Sequence, residues 1–141
     1  MNINKNVYEE VKNAYSIPPP EHGGILGMKN GIIYKYYHDG SSNATDRATY
    51  EPNVNLLNQK IEEWSEFGIQ FAGIVHSHLL RQNTLSSGDK EYIKTLFNAL
   101  PGWINELYFP IIIPEAKQVI SFVAKRKDEN VIVQQDEIHI I

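Results

Sequence analysis

The chain has 141 residues, of which 42% are hydrophobic and 21% charged, and its formal net charge is −4. This composition predicts a single globular domain over residues 1–141, and the acidic balance argues against nucleic acid as a partner. No apolar run approaches the ~20 residues of a membrane span, and the N-terminus lacks the apolar core of a signal peptide. We therefore expect no membrane partner. The absence of cysteine excludes disulfides, thiol catalysis and the cysteine-ligated zinc of nucleotide deaminases, and it fits a cytoplasmic chain.

The first third of the chain predicts a short helix and then a β-hairpin. Apolar positions at helical spacing predict a helix over Val7–Tyr15, which three prolines then end. Asn30-Gly31 is a strong hairpin turn, so we expect a strand on each side of it. The polar segment 38–46 is rich in turn residues and predicts a loop in which His38 is solvated.

The middle of the chain predicts two amphipathic helices on either side of a buried strand. The strand is the apolar run Phe71–Val75, and the helices are expected over Val54–Phe67 and Gly88–Ala99. The positions expected to be buried are Val54, Leu57, Ile61, Trp64 and Phe67 in the first helix and Tyr92, Ile93, Leu96, Phe97 and Leu100 in the second.

The last third predicts strands. Leu107–Ile113 is expected to form a strand whose proline indicates an edge or an irregularity. Val119–Lys125, 131–133 and 138–141 follow, the first two separated by a charged turn, and His139 is expected to point outward. These elements together predict an α/β three-layer domain, in which a mixed, curved sheet carries helices on its faces.

Two histidines follow the central buried strand. Because side chains alternate along a strand, His76 and His78 project from the same face. Two imidazoles leaving a buried strand together need partners for their ring nitrogens, and a metal ion supplies one directly. Asp89 could complete the site, since two histidines, one carboxylate and an open fourth position form a usual catalytic zinc site.

Simpler interpretations exist for the same residues. A His-x-His pair is often merely hydrogen-bonded or exposed at the surface. The segment Ser86–Asp89 also has the pattern of a helix N-terminus, with Ser86 as the cap and Asp89 reaching back to it. Local spacing alone leaves both interpretations open.

A more distant residue favours the metal site. Glu21, followed by His76-x-His78, then Asp89 with Ser86 three residues before it, resembles the motif of JAMM (MPN+) metalloproteases. The similarity extends to the apolar segment after Glu21 and to the strand that carries the histidines, and it covers roughly residues 18–109. The chain departs from the family at three positions that are not ligands: Leu79 and Leu85 stand where the family usually has proline, and Gly27 comes one position early.

The resemblance implies an MPN/JAB-like fold, similar in architecture to cytidine deaminases, and a zinc-dependent hydrolase with one Zn²⁺ per chain. It implies that His76, His78 and Asp89 bind the metal and that Ser86 donates to the oxyanion. It implies that Glu21, not itself a ligand, moves the proton. Gly23 and Gly24 would leave room for an extended substrate tail.

The implied substrate is an amide or isopeptide bond after the C-terminal Gly-Gly of a ubiquitin-like or sulfur-carrier protein. The chain lacks long insertions, which indicates a small prokaryotic-type member. Two alternatives stay open: a hydrolase of small amides or cysteine conjugates, and a metal-free MPN module that only binds partners. The sequence does not specify an oligomeric state.

Overall fold

In a computed structural model of the protein, we describe residues 1–14, 23–39, 54–78 and 83–141. These ranges contain three α-helices, and each matches a helix predicted from the sequence to within two residues at the described ends. The helices are α1 (Lys5–Ala14), α2 (Val54–Glu66) and α3 (Ser87–Ala99), and a short 3₁₀ helix spans Pro114–Ala116. Within the described ranges, no helix is both long and apolar enough to cross a membrane.

The described ranges also contain one mixed sheet of nine strands. Its strands are β1 (Asn2–Ile3), β2 (Gly23–Lys29), β3 (Ile32–Asp39), β4 (Gln70–Ser77), β5 (Glu106–Tyr108), β6 (Ile111–Ile113), β7 (Gln118–Lys127), β8 (Asn130–Asp136) and β9 (His139–Ile140). The central strands β3, β2 and β4 are antiparallel neighbours, whereas β5 and β6 run parallel to β4. The two-residue strand β1, which the sequence did not predict, lies parallel between β3 and β9.

The turn between β2 and β3 forms as predicted. Asn30 and Gly31 both have positive φ, 54° and 77°, as a tight hairpin turn requires at both central positions. The strand after the turn is longer than predicted, because β3 continues to Asp39. The prediction of a solvated His38 in a loop is therefore wrong: His38 is a half-buried strand residue, and its Nδ1 lies 2.8 Å from the Tyr36 hydroxyl.

Helices cover both faces of the sheet, which confirms the predicted three-layer α/β architecture. On one face, α1 buries Val7 and Val11 against strand residues that include Leu26 and Val75. On the other face, α2 and α3 pack against a second hydrophobic core. The helix residues buried in that core are Leu57, Trp64, Ile93 and Phe97.

Fewer residues of α2 and α3 are buried than the sequence predicted. Val54 and Phe67, the first and last positions predicted to be buried in the first of these helices, are 58% and 66% exposed, and Tyr92 of α3 is 40% exposed. Leu100, the last residue of the set predicted for α3, packs against the core, whereas Tyr92 is exposed beside the buried Ile93. Helical periodicity identifies the buried face of a helix, but it does not show which residues at the margin of that face are covered.

The strand predicted over Leu107–Ile113 is interrupted. Pro110 has no N–H to donate to a ladder, and β5 and β6 end on either side of Phe109-Pro110. Both pieces still lie between β4 and β7. On the last strand, His139 points outward as predicted.

A bulge in β4 sets the position of the residues that follow. The pairing between β2 and β4 shifts by one residue at Ala72, and Gly73 has a φ of +149°. A Cβ on Gly73 would collide with the backbone carbonyl of Tyr108, so the close approach of β5 requires glycine here. Beyond the bulge, Ile74 faces the α2/α3 core and Val75 faces the α1 core.

Candidate metal centre

The sheet fixes His76 and His78 at the end of β4. Their backbone N–H groups donate to the carbonyls of Pro110 and Ile112, at 3.2 and 2.8 Å. Because both residues direct their backbone donors toward β6, their side chains leave the strand on the same face, toward α3. This geometry confirms the predicted shared face. Ser77, between them, is buried.

The N-terminus of α3 supplies the third side chain. The Ser86 hydroxyl accepts a hydrogen bond from the backbone N–H of Asp89 at 3.0 Å, and the Ser86 N–H donates to Oδ2 of Asp89 at 2.8 Å. This reciprocal pair is a capping box with aspartate in place of the usual glutamate or glutamine. The helix terminus therefore holds the Asp89 carboxylate in place while leaving its oxygens directed at the histidines.

The three side chains converge on one point. The Nε2 atoms of His76 and His78 are 2.7 Å apart, and they lie 3.4 and 3.3 Å from Oδ1 and Oδ2 of Asp89 respectively. All three can offer a ligand atom within 4.8 Å of the others. Ligands held at about 2.0–2.2 Å in a tetrahedron around zinc are about 3.3 Å from each other. The imidazole–carboxylate distances match that value and the two imidazoles need only a slight separation, so the cluster could bind a metal ion.

Burial and charge favour the form of Asp89 that binds a cation. The side chains of His76 and His78 are 9% and 5% exposed, and the Asp89 side chain is 23% exposed. Burial by itself raises the pKa of Asp89. Hydrogen bonds from His76 and His78, the charge of His76 and the N–H of Ser86 outweigh it and hold the pKa well below its usual range. Asp89 is therefore a carboxylate at neutral pH, as metal coordination requires.

Gly23 and Gly24 face opposite sides of the sheet. Gly23 pairs with His76 on β4, and Gly24 pairs with Val75, whose side chain is in the α1 core. A Cβ on Gly24 would lie 2.7 Å from the Tyr36 ring, so packing requires a glycine there. The predicted role of Gly24 in a substrate groove thus gains no geometric support. Gly23 lies on the histidine face, where the predicted groove remains a prediction.

A buried carboxylate lies in the same cross-strand row. Gly23 pairs with His76 on one side and with Asp39 on the other, so the side chains of His76 and Asp39 share a face, and the residue between them in this row is a glycine. Asp39 is fully buried. The sequence did not indicate this residue, because segment 38–46 has the composition of a loop. If the strand predicted after the hairpin turn is extended by two residues, the alternation of its side chains shows which face of the sheet Asp39 occupies.

The structure describes two of the four remaining residues that the sequence singled out near the site. Glu21 and Leu79 lie outside the described residues. Ser86 is exposed and caps α3. A hydroxyl that accepts one hydrogen bond keeps its own proton to donate, so capping and donation to an oxyanion are compatible. Leu85 is buried, with its side chain in the α2/α3 core.

Comparisons with known proteins identify the fold. No protein-family model matches the chain, and no curated protein matches it. Among solved structures, protein DSY2949 from Desulfitobacterium hafniense superimposes with a TM-score of 0.68 at 17% identity, covering 99% of this chain and 92% of its own. AF2198 from Archaeoglobus fulgidus, a JAB1/MPN domain protein, gives a TM-score of 0.56 at 17% identity, covering 100% and 97%. The chain therefore has an MPN/JAB-like fold.

Proposed function

We propose that the protein is a zinc-dependent isopeptidase or peptidase that cleaves the amide bond after the C-terminal Gly-Gly tail of a ubiquitin-like or sulfur-carrier protein. The observation that carries the proposal is the convergence of His76, His78 and Asp89 at the end of β4 in an MPN/JAB-like fold.

The donor set favours zinc in a catalytic arrangement. Two imidazole nitrogens and one carboxylate leave one position of a tetrahedron open, whereas structural zinc sites usually have four protein ligands. Bound zinc supplies Lewis acidity, which activates a water molecule and polarises the scissile carbonyl. Both histidines are buried, whereas Asp89 is half-buried and Ser86 is exposed, so solvent reaches the cluster at Asp89.

Glu21 is the proposed proton carrier. It precedes Gly23 by two residues, and two residues of extended chain span at most about 7 Å. Gly23 in turn pairs with His76, and this closeness in sequence supports the assignment. Its carboxylate would take a proton from the attacking water and deliver it to the departing amine.

Ser86 is the proposed donor to the developing oxyanion. The Ser86 oxygen accepts the backbone N–H of Asp89, which fixes the hydroxyl beside this proposed metal ligand. The hydroxyl proton of Ser86 can still be donated to the oxyanion. In comparable sites one such donor contributes about 10²–10³ in kcat.

The substrate class rests on the resemblance of the motif and on the small side chains beside it. In the cross-strand row the residue between His76 and Asp39 is Gly23, which contributes no side chain of its own. An extended Gly-Gly tail can enter a narrow cleft through backbone hydrogen bonds, whereas a bulky residue next to the scissile bond is excluded.

A substrate panel tests the proposal. Zinc-loaded protein is incubated with reporter fusions to ubiquitin and to a bacterial sulfur-carrier protein, joined through peptide and isopeptide bonds, and with matched fusions ending in Val-Val. Small aryl amides and cysteine conjugates complete the panel. We expect cleavage after Gly-Gly but not after Val-Val. Cleavage of the small compounds alone would reassign the protein as a small-molecule hydrolase, and a zinc-loaded protein that cleaves nothing would contradict a catalytic role.

A further inference from the structure

The sheet ends on one side in a long and regular strand, β8. Each of its seven residues, 130–136, pairs with a residue of β7, and the register does not shift along the strand. In the described part of the chain, no strand lies on the other side of β8. The outer side of the strand therefore presents a row of backbone N–H and C=O groups, which we call the β8 edge.

The β8 edge lacks the features by which sheets usually avoid pairing with another chain. Protected edges are short or bulged, or they carry lysine, proline or an inward-pointing charge. Residues 130–135 contain no proline and no charged side chain. The charged residue of β8, Asp136, lies at its end and accepts a hydrogen bond from the α-ammonium group of Met1 at 2.6 Å. At the opposite end of the sheet, by contrast, β9 has only two residues.

The centre of the β8 edge is apolar on both faces of the sheet. Val131 and Val133 are half-buried and pack against the α2/α3 core. Ile132 points to the opposite face and is 45% exposed. Apolar side chains on an edge strand are buried further when a second strand brings apolar side chains beside them. The edge therefore favours an uncharged strand with an apolar centre.

The strand β8 itself has the properties of that partner. In an antiparallel pair related by a two-fold axis, the central residue lies opposite its own copy. With Ile132 at the centre, Val131 lies opposite Val133 of the second copy. Asn130 then lies opposite Gln134 of the second copy. Apolar side chains meet apolar side chains in this register, amides meet amides, and residues 130–134 place no like charges opposite each other.

We infer that the β8 edge binds a second copy of this chain, with β8 pairing antiparallel to β8 about Ile132. The inference goes beyond the proposed hydrolysis and does not depend on it, since no proposed metal ligand lies on β8. A two-fold contact closes on itself, so the product is a dimer and not a fibre. Because the seven residues of β8 are fewer than the roughly 20–30 residues a side of a standard interface, we expect a weak dimer with a Kd in the micromolar range.

Sedimentation equilibrium of the full chain over a range of concentrations tests the dimer. We expect the mass of the wild type to rise from the monomer value of 16.1 kDa toward twice that value. Ile132→Lys places two ammonium groups opposite each other and should weaken the dimer at least about tenfold. The matched control, Ile140→Lys, makes the same change at an isoleucine of β9 that is 50% exposed, and it should dimerise like the wild type.

Cysteine cross-linking tests the register. The chain contains no cysteine, so an introduced thiol is unique in each copy. In the proposed register the two Cα atoms of residue 132 lie about 4.5–5.5 Å apart, which a disulfide can span. Ile132→Cys should therefore form a disulfide-linked dimer under mild oxidation, and Ile140→Cys should form much less of it. This measurement also decides the question if Ile132→Lys fails to fold.

Any of three results would overturn the inference. A wild type that stays monomeric up to about 1 mM would leave the β8 edge to a strand of a different protein. A folded Ile132→Lys variant that dimerises like the wild type would place the contact elsewhere, and equal cross-linking of the two cysteine variants would contradict the register. Because no substrate is used, a failure here leaves the proposed hydrolysis standing, and a failure of the hydrolysis leaves the dimer standing.

Discussion

The Nε2 atoms of His76 and His78 lie 2.7 Å apart, and each faces a different oxygen of the Asp89 carboxylate. Buried imidazoles with their nitrogens directed at one point are costly unless something satisfies those nitrogens. Asp89 does so in part, and a cation would do so for both histidines at once. The zinc hypothesis thus explains why the fold brings two imidazoles so close together.

Metal content is the first consequence of this arrangement. We expect one zinc per chain in the wild type, and His78→Ala should lose most of it. Because the metal binds only the folded state, zinc should raise the melting temperature of the wild type and hardly that of the variant. His139→Ala removes an exposed imidazole of β9 and serves as the control. Elemental analysis and thermal unfolding measure both effects, and full zinc occupancy in His78→Ala would refute the assigned ligands.

The lowered pKa of Asp89 predicts a pH dependence of stability in the metal-free protein. Since the folded-state pKa lies below the unfolded value of about 3.9, the stabilisation by the carboxylate is complete above about pH 5. It is lost as the pH falls toward the folded-state pKa. Asp89→Asn keeps the size of the side chain and a capping oxygen but removes the charge. In urea unfolding, the free energy of unfolding of this variant should fall further below that of the wild type at pH 6 than near pH 3. A difference that instead grows on acidification would contradict the lowered pKa of Asp89.

The two glycines of β2 should respond differently to substitution. Gly24→Ala places a methyl group against the Tyr36 ring and should destabilise the fold by about 1–3 kcal/mol, the usual cost of overpacking. Gly23→Ala places a methyl group on the face of His76 and should reduce turnover of a Gly-Gly substrate more than it reduces stability. Unfolding free energies and KM values for both variants provide the comparison. Equal losses of stability and activity in the two variants would argue against a substrate cleft at Gly23.

Ser86 can be tested separately as a cap and as a hydrogen-bond donor. Replacing a serine cap by alanine costs about 0.5–2 kcal/mol, but replacing it by glycine costs only a few tenths. Ser86→Gly should therefore keep the stability of α3 while removing the hydroxyl, and kcat should fall about 10²-fold if the hydroxyl donates to the oxyanion. Ser87→Gly is the neighbouring control. Unchanged kcat in Ser86→Gly would limit Ser86 to capping.

Much of the fold could be predicted because local patterns determine it. Asn30-Gly31 specifies a tight hairpin by backbone conformation alone. The alternation of side chains along β4 places His76 and His78 on one face. The pattern Ser86-x-x-Asp89 predicted both the capping box and a carboxylate beside the histidines, and the structure combines the two in one side chain.

The features that were missed depend on contacts between distant segments. Gly73 adopts its φ of +149° because β5 approaches closely, and Asp39 is buried because β3 continues past the apolar part of the hairpin. The two residues of β1 form a strand only because β3 and β9 lie beside them. Val54 and Phe67 have the spacing of core residues, but their side chains are exposed.

The most direct test of the proposed hydrolysis is the turnover of a Gly-Gly-linked fusion by Glu21→Gln with its zinc retained. Glutamine keeps the size of the side chain but cannot accept the proton of the attacking water. The rate should fall by about 10²–10⁴, the loss expected for removing a general base, while zinc content and melting temperature stay near the wild-type values. A Glu21→Gln protein that cleaves the fusion at the wild-type rate with its zinc in place would contradict the account.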